Sequence, residues 1–291
     1  MLTPLVTLLA LLLPVQPPIM SDTPLTPTQL RALRTPPAGE AREALIRDLE
    51  TLMRLEPNGP FENHGLLVSL EANLDQQPDI ETAVLFGRQD RETLLLVINA
   101  QGIIQARIPV SNWYGSPELM LVTLGQTQKA LVVRQIEEHG TGIYRESYHF
   151  YQLRNGQVKG VLRLPGEARL YGPGPLNQHL RVRWQALSGG EDALRVRYQY
   201  RFFPGPSQFT EENPNWSWLD SSEEVDFLWN EKQQAYVPDF YPSHPLNPEK
   251  LLSLESLGDP RFFKAFRAEL TQRWQQASPA ERQRMRNLGW K

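Results

Sequence analysis

The sequence predicts a mainly β protein: an antiparallel meander forming a curved sheet, a sandwich or propeller-like blades, with one helix before it and helices after it. Three observations carry that expectation. From about residue 65 to residue 237 the chain is a series of short β-branched and aromatic runs broken by Gly, Asn and Pro. These runs follow one another through hairpin signals with no helical stretch between them, which points away from a parallel βαβ sheet. Helical periodicity is confined to the two ends of the chain.

In chain order, residues 1–19 read as a signal peptide, because the apolar run at 5–15 has the length of a signal hydrophobic region and is too short to span a bilayer. An export destination follows, periplasmic, cell-surface or extracellular; Met1 and Met20 both remain open as the start. Residues 20–38 are rich in Pro and read as a linker. The domain at 39–238 opens with a helix from Glu40 to about Leu55, in which Leu45, Ile46, Leu49, Leu52 and Met53 recur at helical spacing, and "EPNGP" at 56–60 ends it. Strands are predicted at 66–71, 82–87, 93–99, 103–108, 118–124, 130–137, 145–154, 157–164, 179–187, 194–203 and 223–229. Turns join several of them at "NAQG" (99–102), "RNGQ" (154–157) and "SGGED" (188–192), with Asn155-Gly156 the clearest type I′ signal. A Pro-rich connector at 239–258 leads to C-terminal helices at 259–291, packed on the β domain. Asp259-Pro260 supplies a cap, and Phe262, Phe263, Phe266, Leu270 and Trp274 form an apolar stripe. "SPAE" at 278–281 is a capping box.

Composition narrows the function classes. A net charge of −3 gives no global excess of cations, so a nucleic-acid partner is not expected, and the apolar run at 5–15 is too short for a stable membrane span. The absence of cysteine excludes disulfides, thiolate nucleophiles and Cys-ligated metals. No nucleophile elbow, Walker loop, dinucleotide fingerprint or H-E-x-x-H occurs, and the five histidines are scattered. An enzyme is therefore not the leading expectation. Should there be catalysis, it would be a carboxylate-dependent glycoside hydrolase, whose acidic pair is defined by separation in space.

The segment "NLDQQPDIETAVLFG" alternates Asn73, Asp75, Gln77 and Asp79 before a strand, a pattern of oxygen donors that suits calcium. With "SPELMLVTLGQTQKALVV" as a second copy, residues 65–135 resemble the integrin-type FG-GAP or VCBS repeats of β-propellers. The loop lacks the glycines of that family, contains Pro78 and is short. The resemblance thus implies a β-repeat scaffold rather than a calcium site at Asn73, Asp75 and Asp79, and no cofactor is expected.

Binding chemistry concentrates in "LRVRWQALSGGEDALRVRYQYRFF", residues 180–203, where Arg181, Arg183, Arg195, Arg197 and Arg201 are all odd-numbered and Val182, Trp184, Val196, Tyr198, Tyr200 and Phe202 even. For both apolar sets to share a sheet face, the turn must have an odd length. Arginine then stands against arginine across the strands, which costs up to about 1 kcal/mol per pair without a counter-charge. Two resolutions are predicted: Glu224 and Asp226 on a neighbouring strand neutralise the face, or it takes an external anion through its guanidinium forks. Trp216 and Trp218, two apart in "NPNWSWLD", offer aromatic platforms beside it. The expected function is non-catalytic binding of an anionic glycan or a protein partner at these seven residues, with a structural or interaction module lacking a small ligand as the alternative; the oligomeric state is left open.

Overall fold

The computed structural model describes residues 24–52, 65–75, 77–88, 93–111, 114–125, 127–171, 176–187, 192–204, 217–256 and 261–287. The predicted signal segment, "EPNGP", His64, most of the 188–192 turn, Trp216 and Asp259-Pro260 lie outside the described residues.

Two antiparallel sheets make the β part. The first has four strands in sequence order, β1 (Gly65–Ala72), β2 (Glu81–Arg88), β3 (Thr93–Ile98) and β4 (Ile104–Val110). The second has eight, again in sequence order: β5 (Glu118–Leu124), β6 (Gln128–Gly140), β7 (Ile143–Arg154), β8 (Gln157–Leu170), β9 (Leu176–Ala186), β10 (Ala193–Pro204), β11 (Leu219–Asn230) and β12 (Ala235–Pro238). Each strand pairs with its sequence neighbour, as hairpin signals without helices require. Asn155 and Gly156 both have positive φ, 51° and 69°, and close the β7–β8 hairpin as a type I′ turn does.

Alternation along the strands builds three apolar layers. Val84, Phe86, Leu94, Leu96 and Ile98 face the N-terminal helices α1 (Pro27–Arg34) and α2 (Glu40–Leu52), burying Leu30, Leu33, Leu45, Ile46 and Leu49. Ala83, Leu85, Leu95 and Val97 point the other way and meet Leu131, Val133, Tyr151 and Leu153 of the second sheet. β3 is covered on both faces, which is why its run "TLLLVI" is apolar at nearly every position. The opposite face of the second sheet, carrying Val132, Phe150, Val182, Val196, Tyr198, Phe202, Val225 and Phe227, is roofed by the C-terminal helices. These are α3 (Pro248–Glu255), α4 (Phe262–Ala265), α5 (Arg267–Gln276) and α6 (Pro279–Asn287). Phe262 stacks on Phe202 with ring centroids 3.9 Å apart, and Phe266 lies 5.6 Å from Tyr200. Contacts of this kind contribute about 0.5–1.5 kcal/mol each beyond the area they bury.

Two elements depart from expectation. The segment 20–38, read as a linker, contains α1: Thr26 Oγ1 accepts a hydrogen bond from the Gln29 N–H, the Thr26 N–H donates in turn to Gln29 Oε1, and Pro27 occupies the first helical position. The Pro-rich connector contains α3, capped by Asn247 with Pro248 at its start. In both cases proline initiates a helix rather than preventing one. The capping box at α6 is formed as predicted, with the Ser278 N–H donating to Glu281 Oε2 at 2.7 Å and the Glu281 N–H to Ser278 Oγ at 3.3 Å.

Candidate functional site

The register of β9 against β10 places Val196 opposite Trp184, Tyr198 opposite Val182 and Tyr200 opposite Leu180. The Leu187 N–H donates to the Ala193 carbonyl at 3.0 Å, so five residues separate the last bonded pair. An odd separation keeps the even-numbered apolar residues together and sends the arginines to the opposite face. There Arg181, Arg183, Gln185, Arg197 and Gln199 are exposed.

β11 supplies the counter-charge. Arg195 is directly opposite Asp226 and forms a fork with it, Nε to Oδ1 at 2.8 Å and Nη2 to Oδ2 at 2.9 Å. Arg197 is opposite Glu224 and bonded to it, and Arg201 is opposite Asp220 with Nε 3.7 Å from Oδ2. The hydrogen bonds from Arg195 hold the Asp226 carboxyl below the usual carboxylate range. Arg181 lies 3.9 Å from Glu167, but that carboxylate is already taken by Arg169 and lies 3.2 Å from His179. Burial alone would raise the Glu167 carboxyl; the Arg169 bond and the charges of Arg169 and His179 bring it below its ordinary value. Arg183 stands directly opposite Arg197, and no described carboxylate lies within 4.0 Å of it. Three of the five arginines are thus neutralised across the β10–β11 ladder, leaving Arg181 and Arg183 unbalanced on β9.

Trp218 corrects the expectation of an exposed platform. It is fully buried and meets Phe263 edge-on at 5.7 Å, so its ring serves the core under the C-terminal helices. The Asn73–Asp79 loop is tied by its own bonds: Asn73 Nδ2 to the Gln77 carbonyl, the Gln77 N–H to Asp75 Oδ1 at 2.9 Å, and Gln101 Nε2 to Asp79 Oδ2 at 3.2 Å. Glu81, whose carboxyl is pushed up by burial, accepts from the Leu74 N–H at 2.7 Å.

Two carboxylate centres and a groove were not foreseen. Glu137 is the extra residue where the β6–β7 register shifts; it receives Arg163 Nη2 at 2.6 Å and Ser147 Oγ at 2.7 Å, with the Arg145 guanidinium paired to it at 3.1 Å and His149 Nε2 3.5 Å away. Against the upward push of burial, the His149 and Arg163 contacts hold its carboxyl far below the usual range. Glu146 sits at the β7–β8 shift and accepts from Arg134 Nη2 at 2.7 Å, the Tyr144 hydroxyl at 2.9 Å and the Glu167 N–H at 3.1 Å. Burial first, and then the bond to Glu146, pushes the Tyr144 hydroxyl up to about 12. Each centre is saturated with donors, which is the chemistry of a lock at a bulge rather than of a reactive acid. The groove, of about 330 Å³, lies between the first half of β11 and α5 and is lined by Tyr200, Ser221, Glu223, Glu269 and Gln272 among others.

Comparison with models of known families, with curated proteins and with solved structures finds no match to this chain.

Proposed function

We propose that this is an exported, non-catalytic binding protein of the cell envelope or extracellular space that takes an anionic glycan on the outward face of β9 and β10. The observation that carries the reading is the excess of guanidinium over carboxylate there, concentrated at Arg181 and Arg183. These two forks stand on one strand about 7 Å apart, at the two-residue repeat of a β-strand, and are suited to carboxylate or sulfate. Gln199, opposite Arg181, and Gln185, opposite Arg195, add amides able to bond sugar hydroxyls.

A glycan is favoured over a protein because the outward residues within 181–185 of β9, 195–201 of β10 and 220–226 of β11 are Arg, Gln, Ser, Asp and Glu, with no aromatic or aliphatic anchor among them. Protein interfaces are usually centred on such anchors. Salt-gradient elution from heparin and polygalacturonate supports tests the proposal. Arg181→Glu with Arg183→Glu should elute at clearly lower salt than the wild type while melting at the same temperature. Equal elution of the two would reject the site. A wild type that neither support retains would favour an interaction module without a small ligand. Release of reducing ends from polygalacturonate would move the activity to the groove, where Glu223 and Glu269 are the available carboxylates.

A further inference from the structure

The second sheet has an open edge beside the groove. β11 pairs with β10 from residue 219 to residue 228, whereas β12 covers only residues 227–230. Cover extends a little further, through the Asp239 N–H to the Asp226 carbonyl at 2.8 Å and His244 Nε2 to the Glu224 carbonyl at 2.8 Å. These two bonds also set the phase of the strand. Backbone groups of even-numbered residues on β11 point away from β10, while an odd-numbered one, the Trp229 N–H, bonds back to the Asp192 carbonyl at 3.0 Å. The N–H and C=O groups of Asp220 and Ser222 therefore face outward, and no described residue pairs with them.

The groove begins where that cover ends. Its β11 wall is Ser221 and Glu223, its far wall Glu269 and Gln272 of α5, and Tyr200 lies at its base. Glu269 gives Oε1 to Lys250, while its Oε2 is buried and accepts no hydrogen bond from any described residue. The lining cation, Arg273, is engaged by Glu281 at 2.7 Å. A polar groove with an unfilled acceptor thus runs along a strand edge with unfilled donors and acceptors.

We propose that an extended basic peptide segment docks here by adding a strand to β11 at residues 219–223, with a Lys or Arg side chain entering the groove against Glu223 and Glu269. Strand addition satisfies the outward backbone groups, and alternate side chains of the added strand fall on the α5 side of the sheet. The occupant is basic because Glu223 and Glu269 put carboxylates on both walls, while the lining Arg273 is already paired with Glu281. A second copy of this chain is disfavoured, because antiparallel edge-to-edge pairing about Ser222 would set Asp220 of each copy against Glu224 of the other.

Anisotropy titration of a fluorescein-labelled peptide of alternating Thr and Lys tests this, with two controls: the same peptide carrying N-methylated backbone amides, and one with Glu in place of Lys. The wild type should bind the first saturably and neither control. Glu223→Gln with Glu269→Gln, and separately Ser222→Pro, should each weaken binding about tenfold or more; the proline removes only an outward N–H, which an edge strand tolerates. The carboxamide variant leaves the backbone untouched and keeps the test decisive should the proline variant misfold. Absence of saturable binding by the wild type, equal binding of the N-methylated peptide, or undiminished affinity in the carboxamide variant would each overturn the proposal.

Discussion

Replacing Gly166 by Ala should destabilise the protein even though the glycine occupies an ordinary backbone conformation. A Cβ at this position would lie 2.5 Å from Glu146 Oε1, 2.7 Å from its Cγ and 2.9 Å from its Cδ, so the whole end of that side chain must move. It is not free to do so. Glu146 holds Arg134, the Tyr144 hydroxyl and the Glu167 N–H, and its side chain is only 7% exposed. Breaking one side of a buried ion pair costs about 3–5 kcal/mol. Arg134 is one-third exposed and keeps Glu118 at 2.7 Å, which places the loss near the lower end, about 3 kcal/mol. Replacing Gly by Ala within a strand offsets about 0.5–1 kcal/mol through the unfolded chain. The net loss is about 2 kcal/mol, or a fall in Tm of about 4–8 °C for a chain of this size. Urea denaturation followed by fluorescence measures the first and calorimetry the second. In a Glu146→Ala background the same substitution should cost nothing, because the clash has no partner left. A Gly166→Ala protein as stable as the wild type, or additive costs in the double variant, would refute the reasoning.

Two further outcomes follow from burial. The Glu255 carboxyl at the end of α3 is pushed up to about 7 by burial, with the charge of Arg163 opposing. Because its folded pKa lies above the unfolded value, its contribution is fully present below about pH 4.5 and is lost as the pH rises through 7, by at most about 3 kcal/mol. Glu255→Gln should flatten stability between pH 5 and 8 in denaturant titrations, and a profile parallel to that of the wild type would remove the assignment. Trp218→Ala should cost about 3–5 kcal/mol as a large core truncation; a loss under about 1 kcal/mol in the same assay would return the ring to the surface.

Alternation made the β part legible. In residues 180–203 the parity of Val182, Val196, Tyr198 and Phe202 sets the face, the turn length and the register, and Glu224 and Asp226 were readable as counter-charges from the same rule applied to β11. Proline misled in two places. Thr26-Pro27-Thr28-Gln29 carries the same capping pattern as Ser278-Pro279-Ala280-Glu281, but the surrounding prolines suggested a linker and concealed α1. Glu137 and Glu146 were not legible because a bulge adds one residue to a strand without a compositional mark. The groove was further out of reach. It depends on α5 crossing β11, elements some forty residues apart whose meeting is decided by Phe262, Phe266 and Leu270 settling on the sheet.

That settling bears on how the chain acquires its structure during synthesis. α1, α2 and the first sheet draw their shared core from residues 25–104, so this part can condense while the remainder is still being made. The second sheet cannot finish in the same way. One face of β9–β11 lacks its full apolar cover until Leu251 and Leu254, and after them Phe262, Phe266, Leu270 and Met285, have left the ribosome and docked. The molecule is therefore built from front to back, with a late stage in which a wide aromatic surface is exposed and the last helices act as a clasp.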